Sequence, residues 1–195
     1  MDKPCRCSTE ALQIMSDLQN VHAVIDAETV LGLVNRVCHQ GMLMVHCEDC
    51  TKELQYSVVT LPTLSEQCLP LLEALCSAYD ITSQPSFFDT AMLTFDPPAS
   101  HFICVRSKVI FGQTELDEAE IRLLVRTLLG RNLMRLVELM EGLKGILPVL
   151  SEGPSTHRNG SATLKACESS LESIIGRLAV LVQIIQGDSD NDILT

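Results

Sequence analysis

The chain has 195 residues, 46% of them apolar but only 4% aromatic and none tryptophan, and its 14 Lys+Arg against 25 Asp+Glu give a formal net charge of −11. That length suits one domain able to bury about 70% of its unfolded surface, with no disulfide or metal needed for stability, while the charge and the lack of a basic run argue against direct nucleic-acid binding. No apolar run reaches the ~18 residues of a membrane span, no secretory signal opens the chain, and nine cysteines, an odd number, read as reduced thiols of the cytosol or nucleus.

A first helix is predicted from Ser8 to Gln19, with Ser8 as its N-cap and Leu12, Met15 and Leu18 on one face. Asp26 caps a second, which would bury Val30, Val34, Val37, Gly41 and Met44 or Val45 at four- and three-residue steps and stop near His46-Cys-Glu-Asp-Cys50. Leu69, Leu72, Leu75, Cys76 and Tyr79 predict a third helix; Pro62 and Pro70 constrain its start, which we place at Leu64. Tyr56 to Leu61, with Val58 and Val59, reads equally well as extended. From Asp80 to Ser100 the chain is rich in Ser, Thr, Asp and Pro, the composition of a long loop whose Phe87, Phe88 and Phe95 would pin it to the bundle. Phe102 to Phe111 is apolar and β-branched, but with no partner strand in sight it reads as an extended crossing segment.

Phe111-Gly-Gln-Thr-Glu-Leu-Asp117 marks the sharpest boundary. Thr114 and Asp117 have the spacing of a capping box, opening a helix from about Glu115 to Leu147. Its Leu124, Leu128, Leu129, Leu133, Leu136, Met140, Leu143 and Leu147 cover more than one stripe, which calls for burial on two sides. After a loop from Ser151 to Gly160, a last helix sets Leu164, Cys167, Leu171, Ile174, Leu178, Leu181 and Ile185 in a heptad seam that Gly187 ends. The fold class is therefore all-α, an irregular bundle of about five helices with long connecting loops. One helical domain spans 1–187, with loops near 80–101 and 151–162, and an acidic flexible tail spans 188–195.

Cys47 and Cys50 have the gap that lets two thiolates reach one zinc ion, and Cys5 with Cys7 completes a tetrahedral set if the first helix folds back, His46 being a spare ligand. A single C-x-x-C is a weak signal. No cofactor is therefore required, and thiols packed as small hydrophobes are the alternative to zinc. A redox dithiol is disfavoured, because the pair follows a helix rather than opening one in a βαβ unit. Cys38, Cys68, Cys76 and Cys167 fall on apolar faces, where burial is expected. Arg122, Arg126, Arg131 and Arg135 interleave with Glu118, Glu138 and Glu141, as on a solvated, salt-bridged face. The seam residues Leu171, Ile174, Leu178, Leu181 and Ile185 either close the bundle or pair with a second chain. With no H-E-x-x-H, G-x-S-x-G or phosphate-binding loop, no catalytic residue is assigned and no enzyme is expected.

Taken in order, Cys5-Arg-Cys7 before a leucine helix, a helix ending in Cys47-x-x-Cys50, the Leu71 to Cys76 helix and Val109-Ile-Phe-Gly-Gln-Thr-Glu-Leu-Asp117 form a recognisable arrangement. It resembles the C-terminal regulatory region of fungal binuclear-zinc-cluster transcription regulators, particularly the aflatoxin-regulator branch. The resemblance covers most of the chain and implies a nuclear, non-enzymatic regulator of a secondary-metabolite gene cluster. Apolar helix faces would contact coregulator proteins or a second copy, with no membrane role. The family's DNA-binding element needs six cysteines in C-x-x-C groups beside a basic stretch, and after Cys50 the next cysteine here is Cys68. DNA would thus be reached only through a zinc-cluster segment missing from this chain. The alternatives are a stand-alone modulator that pairs with a full-length regulator, and a small-molecule-binding helical protein.

Overall fold

Leucine-rich runs at three- and four-residue spacing fold into helices, and the packing of those helices makes the protein all-α. A computed structural model describes residues 5–52, 60–81, 102–151 and 158–187. In chain order the elements are α1 (Cys7–Gln19), β1 (Val24–Asp26), α2 (Ala27–Val45), α3 (Glu48–Lys52), α4 (Thr60–Ala78), β2 (Ile103–Val105), β3 (Ile110–Phe111), β4 (Thr114–Glu115), α5 (Glu118–Ser151) and α6 (Arg158–Gly187). The predicted extension over 56–59, the phenylalanines of the loop near 80–101 and the acidic tail at 188–195 lie outside the described residues.

In α1 the buried face is Ala11, Ile14 and Leu18, while Leu12 is 61% exposed. The predicted face was rotated because Leu12 and Leu18 lie six apart and cannot share a stripe, whereas 11, 14 and 18 can. Arg6, not Ser8, occupies the N-cap, and it makes no side-chain capping bond. Asp26 does cap α2: its Oδ1 accepts from the Thr29 amide at 2.8 Å and its Oδ2 from the Thr29 hydroxyl at 2.9 Å. Those bonds, led by the Thr29 amide, hold the Asp26 carboxyl below its ordinary value of 3.8. The cap's contribution is therefore complete above that ordinary value and is lost as pH falls through the lower folded-state value. Asp26→Ala should cost about 1 kcal/mol in urea denaturation at neutral pH, and the gap from wild type should close in acid.

The helix predicted from Leu64 is α4, which begins at Thr60, and Pro62 sits in its first turn, where no intrahelical amide bond is due. At the other end Asp80 takes the left-handed conformation, φ 49°, while Ile81 N bonds Cys76 O at 3.0 Å and Asp80 N bonds Ser77 O at 3.4 Å. This is a Schellman stop with aspartate in glycine's usual place. Arg106 reinforces it, donating to the Ala78 carbonyl and the Asp80 carboxylate and lying 5.9 Å from the Tyr79 ring centroid. The segment read as lacking a partner has one: β2 pairs in parallel with β1, Val24 opposite Ile103 and Asp26 opposite Val105. Three residues are too few for β1 to declare itself by alternation.

The capping box lies three residues beyond the predicted one. Thr114 belongs to a hairpin, opposite Phe111 across a turn where Gly112 has φ 66°. Asp117 is the cap instead: its Oδ1 accepts from Glu120 N at 2.8 Å, and Glu120 Oε2 accepts from Asp117 N at 2.9 Å. From there α5 packs on both α2 and α6, and Leu129, Leu133, Leu136, Met140 and Leu143 are fully buried, but Leu124, assigned to the same surface, is exposed near the helix start.

The seam residues Leu171, Ile174, Leu178, Leu181 and Ile185 are all buried, because α6 packs on α5 and α4. Of the two readings of the seam, closing the bundle or pairing with a second chain, this burial favours the first. Two of the α5 arginines reach beyond their own helix. Arg126 Nε donates to the Ile185 carbonyl at 2.9 Å, and Arg135 to Asn35 Oδ1 at 2.6 Å, so both tie α5 to a neighbouring helix.

Candidate metal centre

Cys47 lies between α2 and α3, and Cys50 lies within α3, so the C-x-x-C gap spans a tight corner. Here the chain leaves α2 through His46 N to Met42 O and Cys47 N to Met44 O, both 3.2 Å. Cys50 turns inward and is 1% exposed, whereas Cys47 is half-buried. The other pair arrives on α1, whose first residue is Cys7, and α1 lies across α2 and α4. Gln40 Nε2 donates to the Cys7 carbonyl at 3.0 Å, and Arg36 Nη1 meets Asp17 Oδ2 at 2.7 Å. The condition for the two pairs to meet, a first helix that folds back, is thus satisfied.

The four sulfurs of Cys5, Cys7, Cys47 and Cys50 lie within 4.8 Å of one another, and the Cys5 and Cys50 sulfurs are 3.4 Å apart. A tetrahedral ion with metal–sulfur bonds near 2.3 Å needs sulfurs roughly 3.8 Å apart, which these spacings bracket. The cluster can hold a metal ion. His46 is exposed and is not part of it.

Burial and mutual contact set the ionisation of these thiols. Burial, then the neighbouring sulfurs, pushes the Cys50 thiol up, and burial raises Cys7 as well. Cys47 moves down, chiefly because the Cys50 amide bonds its sulfur. Four thiolates packed this closely repel one another, so full ionisation calls for a cation among them. The other buried thiols shift in the same direction as Cys50, Cys38 and Cys76 up to about 12 and Cys68 further, all chiefly by burial, but none of them belongs to the four-sulfur cluster. They behave as small core hydrophobes.

Sequence reasoning missed Gln40. Its position, three after Val37 and four before Met44, places a polar side chain on the apolar face of α2, and only 7% of it remains exposed. A buried amide needs a partner, and the Cys7 carbonyl is that partner.

A second concavity, an open cleft of about 570 Å³, lies between the end of α4 and the start of α5. Asp80, Asp117 and Glu118 line it beside Arg106, Lys108 and Arg122, so its charges are mixed. Arg106 is already engaged by Asp80, and Glu118 lies 3.5 Å away. No described helix is long and apolar enough to cross a membrane.

Fold and site together define an all-α chain with a tetracysteine cluster at one corner of the bundle. No protein-family model, curated protein or solved structure matches it.

Proposed function

We propose that this chain is the helical regulatory and interaction region of a fungal transcription regulator of the binuclear-zinc-cluster type, nuclear and non-enzymatic, with a structural zinc ion at Cys5, Cys7, Cys47 and Cys50. One observation carries the reading: the two cysteine pairs on which the resemblance rests are the same four residues whose sulfurs meet within 4.8 Å. Zinc suits four thiolates in a closed tetrahedron with no position left for substrate, which is the pattern of a structural rather than a catalytic site. When bound, the ion supplies a cross-link. Cys5 and Cys7 hold the start of α1, Cys47 and Cys50 hold the corner after α2, and Gln40 orients the Cys7 backbone between them.

Apolar side chains that the bundle leaves exposed, among them Leu123 at 66% and Ile110 at 67%, supply contact area for coregulators or a second copy. DNA is reached through a separate zinc-cluster segment. Fusing the chain to an unrelated DNA-binding module in a fungal reporter strain tests the proposal. Reporter output should change several-fold relative to the module alone, and output equal to that of the module alone contradicts a regulatory role.

A further inference from the structure

The tetracysteine cluster sits at the surface with unequal access to its sulfurs. Cys5, Cys7 and Cys47 are half-buried, while Cys50 is 1% exposed. On the arm formed by Cys5 and α1, the half-buried Cys5 sulfur lies 3.4 Å from the buried Cys50 sulfur on α3. These two cysteines stand 45 positions apart in sequence, so a bond between them spans the same gap, arm to corner, that a metal ion spans. We propose that the site is a peroxide-sensitive staple, in which oxidation forms a Cys5–Cys50 disulfide, expels the metal and leaves α1 attached by a covalent bond instead. The proposal rests on the zinc reading above.

The chemistry balances with hydrogen peroxide as the oxidant. The Cys5 thiolate attacks one peroxide oxygen, giving a sulfenic acid and hydroxide. The Cys50 thiolate then attacks the Cys5 sulfur, the S–S bond forms and a second hydroxide leaves. Each sulfur gives up one electron, and the two electrons reduce the O–O bond. Only Cys7 and Cys47 then remain as thiolate ligands, two short of a closed tetrahedron, so zinc is released as the free ion. Other buried thiols are screened from this reaction: Cys38, Cys68 and Cys76 lie in the core and are 3%, 0% and 2% exposed. Other anchors of the arm, the burial of Ala11, Ile14 and Leu18, the Gln40 bond to Cys7 and the Arg36–Asp17 pair, involve neither sulfur.

The test uses the full chain, purified under reducing conditions and loaded with zinc, then exposed to graded hydrogen peroxide. Released zinc is read with a chromogenic chelator, and disulfides are mapped by mass spectrometry after alkylation. The expected result is one zinc released and two thiols lost per chain, with Cys5 and Cys50 in one cross-linked peptide. Amide exchange in α1 should stay as slow as in the zinc form, whereas chelator-stripped, reduced protein should exchange there at least several-fold faster. Zinc retained under excess peroxide overturns the proposal, as does its release with a Cys47–Cys50 disulfide, which would let the arm go. A reduced chain that takes up no zinc overturns the metal reading itself and, with it, the exchange of one staple for the other.

Discussion

Stripping zinc from the reduced chain with a chelator will lower its unfolding free energy by about 2.7 to 4.1 kcal/mol relative to protein held at 100 to 1,000 times the zinc dissociation constant. Cys50→Ser should come close to the same loss, because a serine hydroxyl is a poor ligand for zinc and the position is almost fully enclosed. The effect will be uneven across the fold. A helix of 13 residues such as α1 is marginal by itself, and without metal its anchors include the burial of three apolar residues, the Gln40 bond and the Arg36–Asp17 pair. That ion pair is partly exposed and adds little. Hydrogen exchange should therefore accelerate over Cys7–Gln19 on metal removal, while the fully buried centre of α5 keeps its protection. Exchange in α1 that ignores the metal would mean that the cysteines do not anchor it.

The second large effect lies where α2 crosses α5. Gly41 faces Leu139, and a Cβ added at 41 would collide with Leu139 Cδ2 and with Cδ1 at 2.8 Å, closer than real Cβ atoms come, and would crowd Cγ at 3.2 Å. Leu139 is fully buried and has little room to retreat. Gly41→Val should cost about 1–3 kcal/mol through overpacking, and Leu139→Ala about 2–5 kcal/mol through the cavity it opens. Combined, the valine enters space that leucine vacated. The double variant should thus lose less than the sum of the single losses, by about 0.5–3 kcal/mol, in a urea-denaturation cycle. Strictly additive losses would show that the two helices do not meet at these residues.

The contrast between what could and could not be read from the sequence follows from length scale. The long helices were legible because apolar periodicity accumulates over many turns: Val30, Val34, Val37 and Met44 are all buried as predicted, as are Leu171, Ile174, Leu178 and Leu181. Features decided by three or four residues were not. The capping box moved from Thr114 to Asp117 because both positions satisfy the same local rule, and only the hairpin, which claims Thr114 for pairing with Phe111, separates them. The strand at 24–26 and the helix at 48–52 were invisible for the same reason. The cysteine cluster falls between these cases. Its members could be named from spacing, but their meeting depended on α1 folding back over α2, a long-range event that local pattern does not encode. The seam of α6 could be seen but not its partner, since a heptad fits a helix of the same chain as well as one from another.

Zinc stoichiometry in chain purified under reducing conditions, compared between wild type and single serine variants, tests the central claim most directly. One zinc per chain is predicted for wild type and for Cys104→Ser, a half-buried thiol outside the cluster, with loss of the metal in Cys5→Ser, Cys7→Ser, Cys47→Ser and Cys50→Ser. Wild-type protein that carries no stoichiometric zinc, or zinc that survives in all four cluster variants, would contradict the account.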